Sequence, residues 1–531
     1  MNKPFLQLNI RWRLPCAQGF CARSFVLLCS LSLLVSGCSL EQWVDNGFKV
    51  GPNYDEPPAV IIAENWINTD ASSLIPSPPA HPEWWAALND PILNHLIQSA
   101  NEQNLSLREA GWRVMQARAR RDITAGNLFP QTQQGFGEFD RILESRSVAL
   151  PAPLRSFDQW SNGFNLSWEL DVWGRFRRSI ESADANLEAS VDDYDAILIS
   201  LIAEVATAYV EYRTFELRLE YARSNVEIQE QSLKLTQEKA DAGKTGFASV
   251  HMSKSSLETT RAGIPSLQIG LRQASNQLCT LLGVETQDLT EFLGKADIPV
   301  PPSNVAVGIP IDLLRRRPDI RASERAIASQ SEQIGIAISD LYPHFSINGE
   351  IALESERFSD LFSSASSAGS LSPAFRWNLL NYGRIINNVE LQGFGLEELI
   401  AGYQNTVLTA NQEVEDAMVA YLKNQERVKS LKAAAEETAE ALRLLTISFN
   451  EGDISFTGVF LLQGQLTARQ DEYAAAQGDV MANLINLYKA LGGGWEIREQ
   501  NFVPQSEFRI DTVQEVLPLP PFPATELMPA P

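Results

Sequence analysis

The side chains able to do chemistry are few and scattered. The four histidines, His81, His95, His251 and His344, show none of the spacings that hold a metal ion. Gly135-Phe136-Gly137 and Gly492-Gly493-Gly494 lack the strand-to-helix setting of a nucleotide loop, and no nucleophile elbow is present. No catalytic residue and no metal site is predicted, and the chain is not expected to be an enzyme. The densest charge run, Leu314 to Ala322, reads as the start of a helix capped by Asp312, with arginines that bind neighbouring carboxylates. Arg175 and Arg384 are read as structural in the same way. Cys279 lies on an apolar run with Leu278, Leu281 and Leu282, where a buried, inert thiol is expected.

The elements that carry these residues are dominated by one pattern. Leu187, Val191, Tyr194, Leu198, Leu201, Val205, Ala208, Tyr212, Phe215 and Leu219 follow steps of four and three, a heptad seam. A helix from about Arg175 to Lys239 would run roughly 100 Å at 1.5 Å per residue. The pattern returns 209 residues later: Trp168, Gly174, Arg175, Val205, Tyr212 and Gly243 reappear as Trp377, Gly383, Arg384, Val414, Tyr421 and Gly452. One structural unit has been duplicated, which predicts a single elongated body rather than several independent domains. Each long helix should end at a glycine turn, Ala242-Gly243-Lys244 or Glu451-Gly452-Asp453, followed by return helices over about 249–282 and 457–491. Pro265 should bend the first of these.

Two hairpins precede the long helices. Phe164, Leu166, Trp168 and Leu170 alternate with Asn165, Ser167, Glu169 and Asp171, the period of a strand with one apolar and one polar face. Its partner is expected over Gly135 to Ile142. The second copy is expected to have Phe345, Ile347, Gly349 and Ile351 in one strand, a Ser-rich loop near Ser363 to Ser370, and Phe375, Trp377 and Leu379 in the other. Such faces suit a transmembrane barrel wall. Four strands cannot close a barrel that spans a membrane, and open edges in hydrocarbon leave backbone groups unpaired, so several chains must share one barrel.

Residues 1–37 carry Lys3, Arg11, Arg13 and Arg23, no acid, and the apolar run Phe25 to Val35: a secretory signal. Its end, Leu34-Val35-Ser36-Gly37-Cys38, resembles a bacterial lipoprotein cleavage box, with Cys38 as the lipid-bearing residue and Ser39 favouring export to the outer membrane. Cys16, Cys21 and Cys29 leave with the signal, so only Cys279 remains and no intrachain disulfide is available. Without the signal cations, 39 basic residues (43 less 4) face 66 acidic ones, a charge of about −27 that argues against a nucleic-acid partner. The expected divisions are the signal (1–37), a tether rich in Pro, Asn and Ser (38–83), a first repeat (84–283), a linker (284–310), a second repeat (311–492) and a Pro-rich tail (493–531).

Several stretches carry a resemblance beyond the pattern: Val50-Gly51-Pro52-Asn53-Tyr54, Trp84-Trp85 with Asp90-Pro91, Arg118-Ala119 through Leu128-Phe129-Pro130, Trp168 through Gly174, Gly263 through Leu267, and Leu314 through Ala322. In this order, with the duplication, the chain resembles the TolC-like outer-membrane factors of the lipoprotein branch represented by OprM and NodT-like proteins. The resemblance implies an α+β membrane protein. A homotrimer would share a transmembrane antiparallel β-barrel, four strands per chain and twelve in all, with long helical hairpins forming a periplasmic α-barrel. It implies a channel of a tripartite efflux system, with a periplasmic adaptor and an inner-membrane pump of the RND type as partners, outer-membrane lipid around it, and no cofactor beyond the lipid on Cys38. Alternatives are the outer-membrane channel of a type I protein secretion system and a non-conducting lipoprotein scaffold.

In that family the two helix-to-helix turns form the periplasmic tip, where acidic and polar side chains close the pore. The matching positions are Asp241, Gly243 and Lys244 in the first copy and Glu451, Gly452, Asp453 and Ser455 in the second. Many members place an aspartate nine residues after the tip glycine; this chain has Leu461 there. Asp453 is therefore expected to be the main pore-facing charge, with a constriction by Phe456, Phe460 or Leu461 as the alternative. Solvated turn residues remain the plain reading of Glu451 and Asp453.

Overall fold

The computed structural model describes residues 43–58, 63, 65–67, 74–75, 83–143, 145, 147, 156–302, 304–312 and 316–498. The signal with Cys38, half of the tether, the loop at Leu150–Pro153 and the tail beyond Arg498 lie outside these residues. The chain forms two compact units. One comprises Met1–Glu56, Ala119–Asn186 and Ile327–Glu398, the other Pro57–Arg118, Leu187–Ala326 and Leu399–Pro531.

The first unit holds a four-stranded antiparallel sheet of β2 (Thr132–Leu143), β3 (Ser156–Leu170), β5 (His344–Ser355) and β6 (Ser367–Arg376), in the order β2-β3-β5-β6. Within the described chain β2 and β6 each have one partner only. β1 (Leu74–Ile75) and β4 (Val305–Ala306) form a separate parallel pair in the second unit. β6 differs from expectation. It begins at Ser367, inside the stretch read as a Ser-rich loop, and ends at Arg376, so Trp377 and Leu379 follow the strand. The serines fit because one face of β6 is polar, and Ser370 and Ser372 face Glu350 and Asn348 across the ladder.

The chain crosses from sheet to helix at Gly174 and Gly383, whose φ angles of 81° and 82° favour glycine. They precede α3 (Arg175–Asp241) and α6 (Arg384–Glu451), of 67 and 68 residues. Asp171 caps α3, accepting from the amides of Phe176 at 2.9 Å and Arg177 at 3.1 Å. The segment before it is held to the same helix: Arg178 is fully buried and donates to the carbonyls of Val50 and Gly51. Gly51, at φ 86°, lies so close to Gly335 of α5 (Pro318–Ser339) that a Cβ would approach its Cα to 2.6 Å.

The second unit is built of helices. α1 (Pro91–Gln103) starts with proline at its first position, and Asp90 caps it by accepting from Ile92 and Leu93 at 2.9 and 3.0 Å. α2 (Leu105–Gly126) follows. The heptad seam is the core: Leu198, Leu201, Val205, Ala208 and Tyr212 of α3 are buried, as are their counterparts Val407, Ala410, Val414 and Tyr421 of α6. Return helices α4 (Phe247–Leu281) and α7 (Phe456–Ala490) pack through small residues; a Cβ on Gly270 would overlap the Phe215 ring, and one on Gly478 would overlap Thr214.

α4 is helical on both sides of Pro265. Pro310–Asp312 form a 3-10 turn, Arg316 is helical, and α5 begins at Pro318, where proline suits the first helical position. The chain stays packed past Gly494: Trp495 lies under Arg321, 4.3 Å from guanidinium to ring centre, and Arg498 donates to the buried Asp195 at 2.6 and 3.2 Å.

Candidate functional site

Strand register assigns each sheet residue to a face. Phe139 pairs with Trp160, Phe164 with Ile351, Trp168 with Ile347 and Phe345 with Phe375. Because side chains alternate along a strand, these share one face with Leu166, Leu170, Leu353 and Leu371. Aromatic rings collect at its two ends. Phe139 lies 4.4 Å from Trp160, which contacts Phe358 of the β5–β6 connection at 5.0 Å, and at the helix end Phe345 lies 6.2 Å from Phe375. Much of this face meets no other described part of the chain: Leu371 and Ile351 are each 75% exposed.

The opposite face carries Gln134, Glu138, Asp140, Ser161, Asn165, Ser167, Glu169, Ser346, Asn348, Glu350, Glu354, Ser370, Ser372 and Arg376. Phe136, Ile142 and Phe157 are apolar exceptions, Phe136 set opposite Gly163, where a larger residue would strike Ala352; on the other face Gln133, Asn162 and the Arg141–Asp158 pair are polar exceptions. At the helix end Glu169 is held between two side chains: Arg175 donates to it at 3.2 Å, and His344 Nδ1 lies 3.0 Å from the same oxygen. Neither His344 nor this triad stood out in the sequence, because its members are separated by up to 175 residues.

The second surface is the pair of helix-to-helix turns. Each long helix ends in the same hydrogen-bonded motif: Lys244 N donates to Lys239 O and Gly243 N to Ala240 O, while Asp453 N donates to Ser448 O and Gly452 N to Phe449 O. Gly243 and Gly452, at φ 71° and 92°, take the left-handed position that this motif requires. Asp241, Glu451, Asp453 and Ser455 are all exposed. Asp241 accepts from Gln237 at 2.9 Å, and the Ser455 side chain makes no capping bond to α7.

The apolar residues suggested as a constriction separate into two groups. Phe456 is fully buried in a cluster with Leu442, Phe449, Val459 and Leu466, so its ring serves the hairpin core and cannot line an open mouth. Phe460 is half-buried against that cluster and Leu461 is exposed. The sequence reading missed Lys239, whose ammonium donates to the carbonyls of Phe449 and Asn450 and lies 4.4 Å from the centre of the Phe449 ring. It stabilises the end of α6 from the neighbouring helix.

Among the described residues no cluster of His, Cys, Asp or Glu is arranged to hold a metal ion, and no helix is long and apolar enough to cross a membrane. What the geometry offers is a sheet with one lipid-compatible face and one polar face, and long helical hairpins with charged turns.

Comparison with known proteins agrees. A family model described as "Outer membrane efflux protein" matches residues 96–284 and 309–493, one segment in each copy of the repeat. "Nodulation protein T" of Rhizobium leguminosarum bv. viciae is 29% identical over 476 residues, covering 88% of this chain and 92% of its own length. "Toluene efflux pump outer membrane protein TtgF" of Pseudomonas putida is 27% identical over 488 residues, covering 89% and 98%. Among solved structures, the outer-membrane channel OprN is similar with a TM-score of 0.78 and 32% identity, over 84% of this chain and 99% of that one. The Campylobacter jejuni CmeC channel shares the fold with a TM-score of 0.77 at 21% identity, over 88% and 98%.

Proposed function

The chain belongs to the outer membrane efflux protein family, and on that premise we propose that it is the trimeric exit channel of a tripartite efflux system. It gives passive passage across the outer membrane to solutes delivered by an inner-membrane pump of the RND type through a periplasmic adaptor. The observation that carries this reading is the sheet: four strands with one mainly apolar face, one mainly polar face and, among the described residues, two unpaired edges, β2 and β6. An edge exposed to hydrocarbon leaves each unpaired backbone group several kcal/mol short. Three copies joined edge to edge give twelve strands, with the apolar face toward lipid and the polar face toward a lumen.

The aromatic ends of the apolar face support the membrane reading. Trp160 and Trp168 are eight residues apart on β3, about 26 Å along the strand and about 20 Å once tilted, close to the ~25 Å apolar band of outer-membrane barrels. The helical hairpins then continue the conduit into the periplasm, and Asp241, Glu451 and Asp453 line its narrow end. Carboxylates brought together there by threefold symmetry attract cations. Acyl chains on Cys38 anchor the chain in the membrane.

Single-channel recording in planar bilayers tests this reading, with Asp453→Ala and Glu451→Ala beside the wild type. Cation-selective openings that weaken in selectivity in the variants are expected, from a detergent-purified species with the mass of three chains. A monomer that conducts nothing would overturn the channel, and conductance and cation preference unchanged by Asp453→Ala would overturn the acidic tip. A secretion channel for polypeptides would have the same architecture; a scaffold would have no use for a lipid-compatible sheet face.

A further inference from the structure

Where β3 and β6 lead into the helices, the polar sheet face ends in a cavity of about 1020 Å³. Three arginines line it: Arg175 and Arg384 from the first turns of α3 and α6, and Arg376 from the end of β6. Only two acids line it, Glu169 and Asp340, and neither is within ion-pair distance of Arg376 or Arg384. Glu169 accepts from Arg175 at 3.2 Å and lies 3.0 Å from His344, whose other ring nitrogen is 3.7 Å from Asp340.

Arg376 and Arg384 are different. Among the described residues neither has a carboxylate within ion-pair distance, and Arg384 Nε makes only a long bond of 3.4 Å to the carbonyl of Asn381. Side-chain amides, Asn348, Asn378 and Asn388 among them, line the rest of the cavity and supply further donors. The remainder of the polar face is acidic, with Glu138, Asp140, Glu350 and Glu354 farther along the strands. The cavity is thus a local concentration of uncompensated, fork-shaped cations on a surface that otherwise repels anions.

We infer that this cavity is a binding site for anionic solutes, holding a carboxylate, phosphate or sulfonate group between Arg376 and Arg384. The guanidinium fork matches such groups with paired hydrogen bonds, which an ammonium cannot reproduce. Its place in transport rests on the reading of the polar face as the lumen: a conduit passes an ion only if a favourable site offsets the repulsion along the way. The class of cargo that follows is acidic organic molecules.

The test is fluorescence anisotropy of a pyrene trisulfonate dye with the detergent-purified full-length protein at fixed ionic strength. Saturable binding is expected, about tenfold weaker for the Arg376→Gln, Arg384→Gln double variant and partly recovered by the Lys, Lys variant. Correct assembly of each variant is checked by its mass and thermal unfolding. Equal dye affinity in wild type and double variant would overturn the site. So would absence of binding to the wild type, the result expected if a neighbouring copy pairs these arginines. Ionic current measured on the same preparation separates the two proposals: binding without current sinks the conduit, and current without arginine-dependent binding sinks the site.

Discussion

Arg178 of α3 and Glu332 of α5 form an ion pair in which the guanidinium is fully buried and the carboxylate nearly so. The same guanidinium donates to the carbonyls of Val50 and Gly51, so one side chain ties two helices to the segment that precedes the sheet. Removing one partner of such a pair strands the other in a poorly solvated site. Arg178→Ala is expected to cost about 3–5 kcal/mol, read as a large fall in the thermal or denaturant midpoint. The double variant Arg178→Met, Glu332→Leu should recover much of it; equal losses in both would mean that the bonds to Val50 and Gly51, rather than the stranded charge, dominate.

Gly335→Ala should be costly for a related reason. A Cβ there would overlap the fully buried Arg178 side chain, while Gly393→Ala on α6 meets nothing within 4 Å. Forced repacking costs about 1–3 kcal/mol. Thermal unfolding of the two variants side by side checks this, and equal stability would show that the Arg178 chain can move.

Leu371 and Ser372 are neighbours on β6 with opposite faces. Leu371→Lys should oppose membrane assembly by about 2–4 kcal/mol, the cost of a lysine on the lipid face, and Ser372→Lys should be tolerated. The fraction of each variant recovered as trimer in the outer membrane measures this. The reverse order would exchange the lipid and lumen faces.

Asp195 contributes a pH dependence. Burial raises its pKa above the usual 3.8, and Arg498 and Arg321 only partly counter it. The folded chain therefore holds this proton more tightly than the unfolded one. The associated stability is full below about pH 3.8 and is lost as pH rises through the higher folded value. Asp195→Asn should remove that downward slope from the stability curve above pH 3.8. An unchanged slope, measured by denaturant titration across that range, would assign it to another group.

Much of this architecture was legible in the residues. The 209-residue echo located both long helices, and Gly243 and Gly452 marked their ends because the closing motif needs a left-handed residue. The alternation from Phe164 to Leu170 fixed the faces of β3. β6 was placed late because Ser367 to Ser370 look like a loop unless the neighbouring strand is known. Arg178 was invisible, since an arginine normally signals a surface and its burial depends on carbonyls more than 120 residues away. Phe456 misled for the opposite reason: closeness to the turn suggested a constriction, whereas its ring completes the core with Phe449, 5.4 Å away. Lys239 had no signal, because its partners are backbone atoms.

Lys239 also makes the two turns unequal. Its counterpart in the second copy is Ser448, whose short side chain cannot return the favour across to the first helix. The tie therefore runs in one direction, from the first hairpin to the second. The end of α6 is held to α3 by this side chain, and the residue at the matching place in α6 offers no such tie in return. Two copies that began as equivalents are fastened at their ends by a single lysine.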